Sequence, residues 1–121
     1  MARILIVEDY PNLQAAYKSV LQAEGFEVWT AKDGQEALAL VQEHEPDLIV
    51  LDLLMQNVGG LEFLREFDLQ KHPHVKVIVF TNMASPELFR EAKALGASQY
   101  LIKAKYTPKE LVAEVRKTLQ G

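Results

Sequence analysis

No cysteine occurs anywhere in the 121 residues, so the fold has no disulfide to lean on and the chemistry has no thiolate nucleophile. Basic side chains are also short in number, 13 against 17 acidic ones, for a formal charge of -4. A surface that neutralises nucleic-acid phosphates needs clustered Lys and Arg, so direct nucleic-acid binding is excluded as the main task and any DNA contact falls to another chain. Long apolar runs are missing: nothing approaches the ~20 residues that cross a bilayer, and the first run, Ile4 to Val7, stops at Glu8-Asp9, too soon for an export signal. The expectation is a cytoplasmic protein with no membrane partner. Glycine is sparse, and "VEDYPNLQ" after the first run contains none. A glycine-rich phosphate cradle is therefore absent, with negative charge standing where a nucleotide or flavin phosphate would bind.

What remains is ordinary globular material, 49% hydrophobic and 25% charged. A chain of this length buries roughly two-thirds of its unfolded surface and needs neither disulfide nor structural metal to fold. No linker, low-complexity tract or sequence repeat interrupts it, so residues 1–121 are expected to form one domain. Short apolar runs alternate with segments of helical spacing. The runs are Ile4 to Val7, Glu27 to Ala31, Leu48 to Asp52, Val75 to Phe80 and Gln99 to Ile102. Four of them lack polar alternation, which marks strands buried on both faces. The second alternates in part and fits a sheet edge.

Between the runs, Leu13, Ala16, Tyr17, Val20 and Leu21 form one helical stripe, closed by Gly25. Ala37, Leu40 and Val41 mark the second helix, Leu61, Leu64 and Phe67 the third, and Leu88, Ala92 and Leu95 the fourth, closed by Gly96. Leu111, Val112, Val115 and Leu119 mark the fifth. Pro11, Pro86 behind Ser85 and Pro108 behind Thr107 sit at or near helix starts. The pattern is a doubly wound α/β domain. His44, His72 and His74 fall in helix-end or loop contexts without a ligand set and are expected to face solvent, while Trp29 and the phenylalanines pack in the core or at its edge.

In an open parallel sheet ligands bind beyond the carboxyl ends of the strands, so the polar residues there carry the chemistry. Strand one ends in Glu8-Asp9, strand three in Asp52, strand four in Thr81 and strand five in Lys103. Taken singly each fits an ordinary role: a polar loop, a turn cap, a strand-end hydroxyl, a solvated lysine. Together they form a set. Three carboxylates at neighbouring strand ends repel one another unless a hard divalent cation sits among them. Mg²⁺ (or Mn²⁺), with oxygen ligands and retained waters, suits the group. Lys103 and Thr81 can then neutralise and orient the oxygens of a transferring phosphoryl group, and Asp52, on the central strand, is placed to be the nucleophile that forms an aspartyl phosphate.

With "LIVEDY", "LIVLDLLM", "VIVFTN" and "YLIKA" in this order and spacing, the chain resembles the receiver domains of two-component response regulators from Arg3 to Leu119. The resemblance implies a flavodoxin-like (βα)5 sheet of order 2-1-3-4-5 and Mg²⁺-dependent phosphoryl transfer from a sensor histidine kinase or phosphotransfer protein to Asp52. It implies direct metal ligation by Asp9 and Asp52, water-mediated ligation by Glu8, and a further ligand in the carbonyl of Leu54. It also implies that Thr81 and Tyr100 form a switch which repacks helix four, strand five and helix five, the face toward a downstream protein. A receiver of this kind catalyses only its own phosphorylation and dephosphorylation.

Four departures stand against the family pattern. Ala104 replaces the usual proline after Lys103, so a trans bond and a rearranged loop through Lys105 are expected. Asn82 replaces a small residue after the switch hydroxyl, narrowing donor access to Asp52. Gln56 and Gly59 replace proline and aspartate, which predicts a more mobile loop after Asp52. Leu54 and Met83 are apolar where side chains modulate attack by water, which predicts a long-lived phosphoryl group.

Rival classes lack their residues. A haloacid-dehalogenase-type phosphatase needs a second Asp two positions after the nucleophile, and Leu54 stands there. The alternative that keeps every group is a degenerate receiver used as a phosphorylation-independent interaction module. No output domain follows the fifth helix, so the sequence fits either a regulator working by protein contact or a piece of a longer one.

Overall fold

A computed structural model describes residues 1–121. In chain order the elements are β1 (Arg3–Val7), α1 (Pro11–Ala23), β2 (Glu27–Ala31), α2 (Gly34–Glu43), β3 (Leu48–Leu51), α3 (Gly60–Phe67), β4 (Lys76–Thr81), α4 (Pro86–Ala94), β5 (Gln99–Ile102) and α5 (Pro108–Gln120), with 3₁₀ turns at Leu69–Lys71 and Lys103–Lys105. The five strands form one sheet in the order β2-β1-β3-β4-β5, every neighbouring pair parallel. This is the flavodoxin-like order, with β2 at one edge.

The absence of polar alternation has a direct cause. Successive strand side chains point to opposite faces, and both faces are covered. Ile4, Ile6, Leu48, Val50, Ile78, Phe80 and Leu101 pack with Tyr17 and Leu21 of α1 and Leu111, Val112 and Val115 of α5. Leu5, Val7, Ile49, Leu51, Val77 and Val79 pack on the other side with Ala37, Phe63, Leu64, Phe67 and Ala92 from α2, α3 and α4. No helix is long and apolar enough to cross a membrane.

Helix boundaries follow local chemistry. Ser85 Oγ accepts from Leu88 N–H at 3.3 Å, and Thr107 and Glu110 make a reciprocal capping box at the start of α5. Gly25 and Gly96 hold φ of +92° and +103°, a region that favours glycine. Asp33 caps α2 through Glu36 N–H at 2.9 Å, a cap the residue pattern alone did not single out.

Three expectations need correction. β3 ends at Leu51, one residue before Asp52, because the Asp52 carboxylate accepts the N–H of Leu54 at 3.3 Å and turns the chain locally. β4 runs one residue later than expected: Val75 N–H closes a turn onto His72 O at 3.0 Å, and Thr81 is paired with Ile102 inside the sheet. His72 is half-buried rather than solvent-facing, its ring stacked on Phe67 with centroids 4.2 Å apart. His44 and His74 are exposed as expected.

The chain crosses from the β2 side of β1 to the β3 side, which makes the carboxyl ends of β1 and β3 the point where the winding reverses.

Candidate functional site

Glu8 and Asp9 follow β1, and Asp52 follows β3, at that reversal point. Glu8 N–H donates to Ala31 O at 3.0 Å and Asp52 N–H to Val7 O at 3.1 Å, so the sheet ladder itself fixes both residues. Ligand oxygens of Glu8, Asp9 and Asp52 all lie within 4.8 Å of one another, with Glu8 and Asp52 buried and Asp9 exposed. Lys103 reaches across from the end of β5. Its Nζ donates to Asp52 Oδ2 at 2.8 Å and to Glu8 Oε1. The three side chains are 9%, 9% and 3% exposed for Lys103, Asp52 and Glu8. The remaining oxygens are used as well: Tyr10 N–H donates to Glu8 Oε2 at 3.1 Å and Leu54 N–H to Asp52 Oδ1.

Burial pushes the Glu8 carboxyl above its ordinary value, outweighing the opposing pull of the Lys103 hydrogen bond and charge. For Lys103 burial acts to lower the pKa, but hydrogen bonds and charge from Asp52 and Glu8 outweigh it and hold the ammonium above its usual value. The lysine is thus a fixed cation shared by two buried carboxylates, with the exposed Asp9 at the solvent side. Oxygen donors of this number and charge, open on one side, fit a hard divalent cation that keeps several waters.

Glu8, Asp9, Asp52, Thr81 and Lys103 line one cavity of about 490 Å³. Leu54, whose carbonyl was the further expected ligand, lines it too and is 66% exposed. Thr81 Oγ1 accepts from Met83 N–H at 3.3 Å. Tyr100 stands outside the cavity, yet its hydroxyl donates to Met83 O at 2.5 Å, so both expected switch residues hold the same backbone unit of the β4–α4 loop. A cavity of about 560 Å³ at the strands' amino ends, between Arg65, Asp68 and Ser98, brings together none of the site residues.

Two hydrogen bonds tie the loop after Asp52 to the start of α2. Asn57, at φ +61°, donates through Nδ2 to Asp33 Oδ2 at 2.8 Å, and Gly34 N–H donates to Val58 O at 2.8 Å. Gly34 and Gly60 allow the close approaches. A Cβ on Gly60 would run into Asp52 O and stand 2.8 Å from Leu53 Cα. Gln14 is a second positioning residue that the residue pattern did not reveal: its Nε2 donates to Glu8 O at 2.9 Å and Ala31 O at 3.2 Å, tying β1 to β2 beneath the acidic pair. Gln14 lies off the apolar stripe of α1, and that is the only signal it leaves in the sequence. The Lys103–Ala104 peptide is trans, as the missing proline implies.

The model of the response regulator receiver domain matches residues 4–116. The chain belongs to that family. The DNA-binding response regulator MtrA of Mycolicibacterium smegmatis is 36% identical over 118 residues, covering 98% of this chain and 50% of MtrA. The probable transcriptional regulator ycf27 of Cyanophora paradoxa is 34% identical over 98% of this chain and 48% of its own length. This receiver domain therefore spans about half the length of the curated relatives it matches. Among solved structures, the chemotaxis protein CheY4 of Vibrio cholerae superposes with a TM-score of 0.90 at 34% identity, covering 98% of this chain and 99% of that one. The response regulator TrrA of Thermotoga maritima, solved with Mg²⁺ and BeF, gives 0.85 at 35% identity, covering 98% and 100%.

Proposed function

We propose that residues 1–121 make up one receiver domain in which Asp52 accepts a phosphoryl group from a sensor histidine kinase or phosphotransfer protein. The observation that carries this reading is the convergence of Lys103 Nζ on buried Asp52 and Glu8 beside Asp9. A carboxylate oxygen of Asp52 attacks phosphorus, the bond from phosphorus to the donor nitrogen breaks, and its electron pair leaves with the histidine ring, which takes up a proton. Glu8, Asp9, Asp52 and the Leu54 carbonyl would hold Mg²⁺ or Mn²⁺, which when bound offsets the charge of carboxylates and phosphoryl oxygens.

Lys103 supplies a second, permanent cation for one phosphoryl oxygen, and Thr81 Oγ1 a hydroxyl donor for another. Movement of Thr81 toward it would pull on the Met83 N–H, from which its hydroxyl accepts at 3.3 Å. Met83 O is also the acceptor of Tyr100, so movement of Thr81 disturbs Tyr100, whose ring packs against Phe89 of α4 with centroids 5.7 Å apart. A phosphoryl group brings about -2 charge and three strong acceptors, enough to bias such a loop. The face formed by α4, β5 and α5 would then present itself differently to a downstream protein, and the domain turns over no external substrate.

Intact-mass spectrometry after incubation with Mg²⁺ and acetyl phosphate tests the assignment. One phosphoryl adduct on the wild type and none on Asp52→Asn is the expected result. No adduct on either, with a cognate kinase also failing, would replace this reading with that of a phosphorylation-independent interaction module.

A further inference from the structure

Two of the departures from the family pattern touch each other. Ala104 N–H donates to Asn82 Oδ1 at 2.9 Å across 22 residues of sequence. Asn82 directly follows Thr81, and Ala104 directly follows Lys103. A proline at position 104 has no N–H to give, and a small residue at position 82 has no oxygen to receive it. Neither substitution makes this bond without the other.

The bond also completes a local account. Ala104 is the second residue of the 3₁₀ turn Lys103–Lys105, and no side-chain cap precedes that turn. Leading N–H groups of such a turn have no acceptor within it. Asn82 supplies one from the neighbouring strand's end, and Tyr106 N–H closes the turn on Lys103 O at 3.1 Å.

Leu13, Asn82 and Lys103 line the cavity over Asp52 and also a second cavity of about 260 Å³, bounded by Tyr17, Ala104, Tyr106 and Pro108. The tethered Asn82 side chain is therefore part of the border that the two spaces share. An exposed asparagine with no tether samples several rotamers; this one is held on the shared border by the Ala104 N–H.

We propose that the Asn82–Ala104 hydrogen bond is a clasp that sets how large a phosphoryl donor can reach Asp52, which makes Asn82 a positioning and specificity residue for the reaction. Closed, the clasp confines the donor's leaving group to the opening flanked by Tyr10 and Leu54. Opened, it joins the two cavities and lets the leaving group extend toward Tyr106. This rests on the phosphoacceptor role of Asp52.

The test uses Asn82→Ala, Asn82→Leu and Asn82→Asp. Leu keeps the bulk without the acceptor, and Asp keeps the acceptor. Amide exchange of Ala104, followed by NMR, is expected to quicken about tenfold in Ala and Leu and to stay near wild type in Asp. The phosphorylation rates with acetyl phosphate and benzoyl phosphate share one chemistry and differ in leaving-group size. Their ratio is expected to move several-fold in favour of benzoyl phosphate in both Ala and Leu. Unchanged Ala104 exchange in Ala and Leu would overturn the clasp. A ratio that moves in Ala but not in Leu would assign the effect to bulk, and one that moves in neither would remove the filtering role. Faster exchange together with a wild type that takes phosphoryl from neither donor and from no cognate kinase would overturn the role of Asp52, and the filter with it, while the hydrogen bond itself stands.

Discussion

Removing the Lys103 ammonium while keeping its stem, as in Lys103→Met, isolates the charge balance of the site. One Nζ serves two carboxylates, and all three side chains are at most 9% exposed. Deleting one partner of a buried pair costs about 3–5 kcal/mol because the other charge is left uncompensated. In a domain of this length each kcal/mol shifts Tm by about 3–5 °C, so metal-free Lys103→Met should melt about 9–25 °C below wild type. The deficit should depend on pH. Burial already holds the Glu8 carboxyl above its unfolded value, and Lys103, with the Tyr10 N–H, restrains it; without the lysine it rises further. A folded-state carboxyl pKa above the unfolded one means the folded chain binds the proton more tightly, so stability is fullest below the unfolded value, near ~4.3, and falls as pH climbs through the folded one. The variant should therefore lie closer to wild type near about pH 5.5 than near about pH 8. Mg²⁺ restores a missing cation, and at 100 times its Kd a ligand adds about 2.7 kcal/mol; the gain should exceed that of wild type, where the ion must share the carboxylates with lysine. Thermal and urea unfolding followed by circular dichroism, with EDTA or Mg²⁺ at both pH values, read all of this. Wild-type stability of metal-free Lys103→Met near pH 8, or an equal deficit at both pH values, would refute the reasoning.

Gly60→Ala should cost about 1–3 kcal/mol, as overpacking against backbone does, and slow phosphorylation, because the new Cβ meets Asp52 O itself; a variant with an unshifted urea midpoint would count against it. Asn57→Ala leaves an oxygen of buried Asp33 without its donor and should cost about 1–3 kcal/mol near neutral pH. Asp33 is held below its ordinary value by the Glu36 N–H first and by Asn57 second. That stabilisation is present above the unfolded value and lost as pH falls through the folded one, so variant and wild type should converge in acid; a gap that stays constant down to about pH 2 would sink this account. Leu54 and Met83 offer no polar group to direct water at the cavity mouth, so the aspartyl phosphate should outlast the minutes scale in a decay time course after donor removal, and loss within minutes would contradict it.

How far the sequence carried these conclusions depends on the range of each interaction. Strand positions are legible because a sheet covered on both faces demands unbroken apolar runs, and the runs end where the chemistry begins. The strand-end polar groups are legible for the same reason, since a carboxylate or lysine at the end of such a run stands against an apolar layer, where a charge is costly unless something pairs with it. What the sequence hides is pairing across distance. Asp33 with Asn57 and Asn82 with Ala104 are residues in loops and turns, where composition alone marks nothing; the first pair left no mark in the sequence, and the second appeared as two unrelated oddities. The one-residue shifts of β3 and β4 come from local hydrogen bonds of Asp52 and Val75, which periodicity does not register.

The division of the core into two separate packings bears on how a message leaves the molecule. Tyr100 belongs with the packing of α2, α3 and α4, where α4 buries only Ala92. On the opposite side α1 and α5 are seated by Tyr17, Leu21, Leu111, Val112 and Val115. On the proposed switch, α4 would serve as a dial and α1 as the keel: α4, seated by a single buried methyl group, would be the easier to turn, while the α1 packing keeps the acidic pair in place. A signal read on the dial leaves the keel in register for the next one.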